Sequence, residues 1–367
     1  MLALAAIALC AWFLVHNTLA NMRTRGIQSG FDFLTEAAGF DIGETLIPYD
    51  SMNPYLKAFA IGVLNTLRVA VIGIVLTTII GTLAGVGRFS RNAIVRGICY
   101  GYVETFRNVP VLLQLIMWYI LFTEVLPPVA EAIQLAPGVF VSKSGMSFPW
   151  PIWEAGHLWA ASGALVGLVL AWLYRRRARA RFESTGRALP TFWPSVAIVV
   201  GCALVAWLAG GAPTALEIPV KTDVVVEGGA ALTPEFLSVL IGLVVYTGTF
   251  VAEVVRGGIA SVAQGQTEAA AALGLSRGQQ MRLVVLPQAL RVIIPPMTNQ
   301  YLNLTKNSSL AVAIGYPDIV SISNTAINQT GRAVECIAVI MIVYLTLSLL
   351  TAALMGWYNR LAAIKER

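Results

Sequence analysis

Charged and amide side chains set inside apolar runs are the residues in this chain able to do chemistry. Arg68, Glu104, Arg107, Glu253, Arg256 and Lys306 each lie in a stretch dominated by Leu, Ile, Val and Ala. An ionised group at bilayer depth is expensive, so each should face a bundle interior or a wet cavity. Glu104 and Arg107 stand three apart, as do Glu253 and Arg256, so each pair can meet on one helical face, either as a packing ion pair or as part of a polar path. Farther on, Pro287, Pro295 and Pro296, which break the helical ladder, are followed by a polar series, Thr298, Asn299, Gln300, Asn303, Thr305, Asn307 and Ser308. Proline removes a backbone donor, and a broken helix persists in a membrane only where it lines a cavity or packs on protein. Amides and hydroxyls both donate and accept, which suits the carboxylate and ammonium of an amino acid. This series is the first candidate for a substrate wall.

Other chemistries find little to work with. His16 and His157 are the only histidines, and Cys10, Cys99, Cys202 and Cys336 are scattered with no C-x-x-C, so we expect no metal site, disulfide framework or catalytic residue. No lysine follows a glycine, so there is no G-K-[ST] phosphate loop. The chain is expected not to be an enzyme, and to bind no cofactor itself.

The elements that must position these groups follow from composition. The 367 residues are 57% hydrophobic and 12% charged, with mean hydropathy +0.73, against about 25% charged in soluble domains. A free-standing soluble protein is excluded. Apolar runs predict eight membrane spans, near residues 2–20, 58–87, 97–124, 158–174, 191–210, 233–261, 283–306 and 335–357. Basic residues in alternate connections number 14 against 6, and the richer set includes Arg175, Arg176, Arg177, Arg179, Arg181 and Arg187. The positive-inside rule places that set in the cytoplasm, with both termini inside. The same distribution argues against nucleic acid as a partner, since no basic domain stands apart from the spans. The uncharged start and the lack of a clear A-x-A site argue against a signal peptide. Segments 21–57 and 125–157 should be extended and aromatic-flanked, with a strand-like patch at Val224–Val226. Gly81/Gly85, Gly97/Gly101 and Gly163/Gly167 each permit close helix approach.

Between the sixth and seventh spans, Gln266–Gln280 predicts a short Ala-rich helix, a glycine stop at Gly274, and a second helix capped by Ser276 with Gln279 three residues on. A small apolar helix with one carboxylate, Glu268, is poorly built to stand alone in water and should dock on another protein.

Glu268-Ala269-Ala270, Gly274, Val284, Leu286 and Pro287 resemble the EAA loop of bacterial ABC importer permeases, departing only in Val284 where isoleucine is usual. Further stretches resemble the polar amino-acid (histidine/glutamine permease) subfamily: Gly62 with Asn65-Thr66-Leu67, Glu104 through Leu115, Ala252 through Ile259, and Lys306-Asn307-Ser308-Ser309-Leu310. The resemblance implies an all-α polytopic membrane protein, about eight transmembrane helices, with a type I ABC importer permease core and a two-helix insertion. Residues 1–57 would form the first span and a periplasmic loop, 58–124 and 233–367 the two parts of the core, 125–232 the insertion, and 264–287 the coupling loop. It assigns ATPase coupling to Glu268, Ala269, Ala270, Gly274, Leu286 and Pro287. To the substrate pathway it adds Gln114 beside Glu104, Arg107, Asn299, Gln300, Asn303, Lys306, Asn307 and Ser308. Relatives often carry Glu at Gln300 and Asp at Asn307, and neutral residues there favour acidic or neutral polar substrates over cationic ones.

The implied machine is a bacterial inner-membrane importer of polar L-amino acids such as glutamate, glutamine, aspartate and asparagine. Its partners would be a second related permease, with the insertion favouring a heterodimer, a dimer of cytoplasmic ATP-binding subunits holding ATP and Mg, a periplasmic amino-acid-binding protein, and lipid. The alternative is an ion-gradient-driven secondary transporter, which predicts paired broken helices and a midplane carboxylate.

Overall fold

A computed structural model describes residues 29–186, 189–222 and 225–362, together with scattered positions between 5 and 24. In chain order its helices are α1 (Tyr55–Gly87), α2 (Ala93–Arg107), α3 (Val111–Ile120), α4 (Ala155–Thr185), α5 (Phe192–Ala209) and α6 (Pro234–Ala260). There follow α7 (Gln264–Ala272), α8 (Arg277–Gln280), α9 (Leu286–Asn307), α10 (Ile319–Thr330) and α11 (Ala333–Ala362). Among the described residues, five helices are long and apolar enough to cross a membrane, or up to seven if each of two bent pairs is one span. The expected span 2–20 lies largely outside the described residues. The chain divides into two compact units, residues 1–125 with 233–367, and residues 126–232.

In the first unit, α1 and α6 press together at glycines. A Cβ added at Gly81 would sit 2.5 Å from Val251 Cβ, and one at Gly85 would sit 2.7 Å from the Ala252 carbonyl oxygen. Apolar side chains gain nothing by leaving lipid, so packing this close supplies the dispersion that joins the helices. Gly97 and Gly101, by contrast, meet nothing within 4 Å.

Two expected spans are bent. The run 97–124 is α2 and α3 joined at 103°. Pro110 has no N–H, and it disfavours helix at Val109, so the ladder stops at Arg107. Gln114, 1% exposed, donates from Nε2 to the carbonyls of Phe106 (2.7 Å) and Val109 (2.9 Å), satisfying acceptors that the bend frees. The seventh span bends elsewhere than expected. Pro287 occupies the first turn of α9, and Pro295 and Pro296 lie inside a helix that continues to Asn307. Both inner prolines are exposed, so the carbonyls they orphan lie away from the core. The turn comes after a 3-10 stretch, Ser308–Ile314, with Gly315 at φ +78° and a 49° angle to α10.

Residues 29–54 are largely irregular and are latched onto this unit. Arg332 grips Asp32 with two nitrogens, at 2.9 and 3.0 Å, and donates to the Gly30 carbonyl, while the Gly30 N–H donates to Glu335 at 2.7 Å. Glu44 pairs with Arg68 of α1 and accepts from the Thr233 hydroxyl. Phe33, Tyr55, Phe59 and Ile322 pack beneath.

The second unit is an α4–α5 hairpin with small sheets. Gly163 faces Ala206 and the Cys202 carbonyl, and Gly167 faces Val199. Segment 125–157 is not simply extended: Ile133–Ala136, Val139–Ser142 and Gly145–Phe148 form an antiparallel sheet with Ala230–Leu232. Alternating Val, Phe and Ser, with turns at Gly138 and Ser144, allow it. Val226–Glu227 pairs with Val220–Lys221, and Val224 lies outside the described residues.

Gly81→Leu should cost about 3 kcal/mol by overpacking, whereas Gly101→Ala should change stability by less than about 0.5 kcal/mol. Detergent melting curves distinguish the two, and equal midpoints would contradict the α1–α6 contact. The Arg332 hydrogen bonds hold the Asp32 carboxyl below its ordinary value. A depressed carboxyl contributes stability above its unfolded pKa of about 4 and loses it as pH falls through the folded value. Asp32→Asn should therefore lower the melting midpoint at pH 7, with the difference closing in acid below that value. A gap unchanged by acidification would refute the ion pair's role.

Candidate functional site

Glu253, on the last third of α6, collects arginines from three helices. It pairs with Arg88 at the end of α1, with Arg256 one turn along α6 at 3.0 Å, and with Arg107 of α2 at 3.9 Å. Arg88 also lies over Tyr100 and Arg107 over Phe250, 5.2 and 5.6 Å from the ring centroids. The pair expected between Glu104 and Arg107 is not formed. Glu104 is exposed, and Arg107, at the C-terminal end of α2, turns to the carboxylate already placed by the α1–α6 seam. Arg88 reads in sequence only as a flanking charge; its part in this cluster depends on a partner 165 positions away.

The polar series on α9 divides by face. Asn299, Asn303 and Lys306, spaced to lie on one side, are exposed; Gln300 and Asn307 are half-buried. Ser308 is buried and donates to the Thr305 carbonyl at 2.7 Å. Gln114 is buried at the α2–α3 bend rather than on this face. An amide and ammonium stripe on a helix of this kind requires water or protein against it, because lipid would leave every donor unsatisfied.

At the other end of α9 lies the segment 264–287. Helix α7 ends in a Schellman arrangement: the Leu275 N–H donates to the Ala270 carbonyl at 3.2 Å and the Gly274 N–H to that of Ala271 at 2.9 Å. Gly274 adopts φ +76°, a left-handed conformation that costs other residues about 1 kcal/mol or more. Ser276 and Gln279 form a reciprocal capping box that starts α8. From there the backbone is helical without interruption through a π turn, Met281–Val285, to Asn307. Ala270 is buried, while Glu268, Ala269, Ala271 and Ala272 are exposed and Leu273 is 81% exposed. Leu286 is exposed and Pro287 half-buried at the start of α9. Sequence reasoning also missed a cavity of about 300 Å³ between residues 40–44, Thr233, Glu235 and Ser321, since no local pattern brings those segments together.

Comparison with known proteins adds an independent finding. The family described as "Binding-protein-dependent transport system inner membrane component" matches residues 163–363. The general L-amino acid transport system permease protein AapQ of Rhizobium johnstonii is 44% identical over 97% of this chain and 89% of its own length. The glutamate/glutamine/aspartate/asparagine transport system permease protein BztB of Rhodobacter capsulatus is 39% identical over 97% of this chain and 90% of its own. Among solved structures, an amino acid ABC transporter with histidines aligns with TM-score 0.49 and 18% identity, over 83% of this chain and 94% of that one.

Glu253→Gln leaves three arginines around a neutral amide. It should destabilise the protein by about 2 kcal/mol, below the about 3 to 5 kcal/mol of a fully buried pair because the cluster is partly exposed. Glu104→Gln should be neutral within about 0.5 kcal/mol. Thermal unfolding of both variants checks the ranking, which reverses if Glu104 is the structural partner of Arg107.

Proposed function

The chain belongs to the family of binding-protein-dependent transport system inner membrane components, and we propose that it is the permease subunit of an ATP-driven importer of polar L-amino acids, with glutamate, glutamine, aspartate and asparagine as the preferred class. The names of its relatives support that substrate class, as do the neutral Gln300 and Asn307 on α9. Binding-protein dependence disfavours an ion-gradient transporter, although the two bent helix pairs would by themselves allow one.

The observation that carries the mechanism is the exposed, Ala-rich α7 joined by Gly274 to a continuous helix. An ATP-binding subunit would receive Glu268, Ala269 and Leu273 in a groove, with Ala270, buried, fixing α7 against its own chain. From Arg277 to Asn307 the path is one rod of 31 residues, about 46 Å at 1.5 Å per residue. Displacement at the docked loop would pass along this continuous helical backbone, by Leu286 and Pro287, to Asn299, Asn303 and Lys306. In this reading the exposed face of α9 is half of a path completed by a second permease, and the insertion makes that partner a different chain. Glu104 and Arg107 would border the path. Ser308 and Gln114 would shape it from inside by holding the two bends. Both termini would lie in the cytoplasm, with the arginine-rich connections.

Vesicles carrying this permease, its partner permease, the ATPase and the binding protein should take up labelled glutamate, glutamine, aspartate or asparagine only when ATP is inside. Uptake that follows an imposed proton or sodium gradient without ATP would overturn the proposal. Gly274→Asp should insert normally yet reduce ATP-driven uptake at least about tenfold, by straining the turn and adding charge at the docking surface. Normal uptake in that variant would remove Gly274 from the coupling role.

A further inference from the structure

The arginine run and the helices that flank it carry none of the residues assigned above to the path or to ATPase coupling. On α4, the stripe Leu168, Ala171, Arg175, Ala178, Arg179 and Phe182 follows helical spacing, so one face passes from apolar to cationic within three turns. Against α5 this face forms two grooves that share Arg175. One, about 450 Å³, is apolar, with Trp172, Val196, Val199 and Val200 along it. The other, about 410 Å³, holds Arg179, Phe182, Leu189 and Thr191. The Arg175 Nε donates to the buried Ser195 hydroxyl at 3.0 Å, which fixes the guanidinium at the junction. Arg176 lies over the Trp172 ring, 5.6 Å from its centroid, on the flank of the apolar groove.

We propose that the α4–α5 groove binds an anionic phospholipid, with its phosphate between Arg175 and Arg179 and an acyl chain laid along Trp172, Val196, Val199 and Val200. Guanidinium groups match phosphate oxygens in geometry and charge, and remain protonated at any accessible pH. Between residues 175 and 185 there are five arginines and a single carboxylate, Glu183, so the mouth of the groove is strongly positive. Ala171 and Ala178, both buried, keep the floor low enough for a chain to lie in it. The apolar part lies on the hydrophobic stretch of α4 and the cationic part where that stretch ends, the order in which a lipid presents tail and headgroup.

Native mass spectrometry of the assembled transporter, titrated with dioleoyl phosphatidylglycerol or dioleoyl phosphatidylcholine, tests this. Wild type should retain phosphatidylglycerol selectively. A direct charge-assisted contact to phosphate contributes about tenfold or more, so Arg179→Gln should weaken retention about tenfold and the double variant with Arg175→Gln about fiftyfold or more. Arg179→Gln leaves the Arg175–Ser195 bond in place, so its result stands even if the double variant misfolds. Arg177→Gln with Arg181→Gln, which removes two charges from outside both grooves, should weaken retention less than Arg179→Gln alone. Equal loss in that pair would mean diffuse surface charge and overturn the site. Displacement of phosphatidylglycerol by excess inorganic phosphate would make the ligand a soluble anion and overturn the lipid assignment. Cross-linking of Val200→Cys to the partner permease, with retention independent of headgroup, would show the groove to be a protein interface instead.

Discussion

The contact on which the first unit depends is the backbone-close seam between α1 and α6. Gly81, Gly85 and Arg88 follow one another at helical spacing on α1, and opposite them stand Val251, Ala252 and Glu253. Where two glycines let the helices touch, the next residue along the same face arrives at Glu253 with its guanidinium already in reach. The ion pair is therefore a consequence of the packing. Once Glu253 is held there, Arg107 has a nearer carboxylate than its own helical neighbour, and the end of α2 is drawn to α6. At residues 29–57 the same two helices carry Arg68 and Thr233, which together bind Glu44 and secure the irregular segment.

On this frame α9 runs from Leu286 to Asn307 as one helix with two internal prolines, and the bend comes at Ser308–Pro317. The continuous backbone links the segment 264–287 to the polar face of α9. The face itself is unfinished within one chain. Asn299, Asn303 and Lys306 have no apolar cover, and a membrane span cannot leave such groups to lipid. The segment 264–287 is incomplete in the same sense, with the Leu273 side chain almost fully exposed. Both features describe a subunit whose free energy minimum includes other subunits.

The α4–α5 hairpin obeys the same packing rule with another outcome. Gly163 and Gly167 bring the helices together along the apolar stretch, and alanines continue the seam into the arginine run. Small residues on the inner face leave open grooves where larger ones would have filled them. An apolar groove that ends at the guanidinium groups of Arg175 and Arg179 is matched to an amphiphile.

What the sequence determined by itself was local. Ser276 with Gln279, and Gly274 after an alanine run, declare helix starts and stops through interactions within four residues, so they are readable in one dimension. The apolar runs and the arginine bias are likewise properties of single segments. Tertiary structure alone decided the long-range choices. Spacing offers Glu104–Arg107 and Glu253–Arg256 as equal pairs, and only the placement of α2 against α6 selects Glu253 for Arg107 and adds Arg88. Gly81/Gly85 and Gly97/Gly101 carry the same motif, yet one is packed and the other bare. Gln114 is a polar residue in an apolar run until the bend supplies two carbonyls for it. In each case the deciding energy is a contact between segments far apart in the chain, and helical periodicity carries no information about which distant face will arrive.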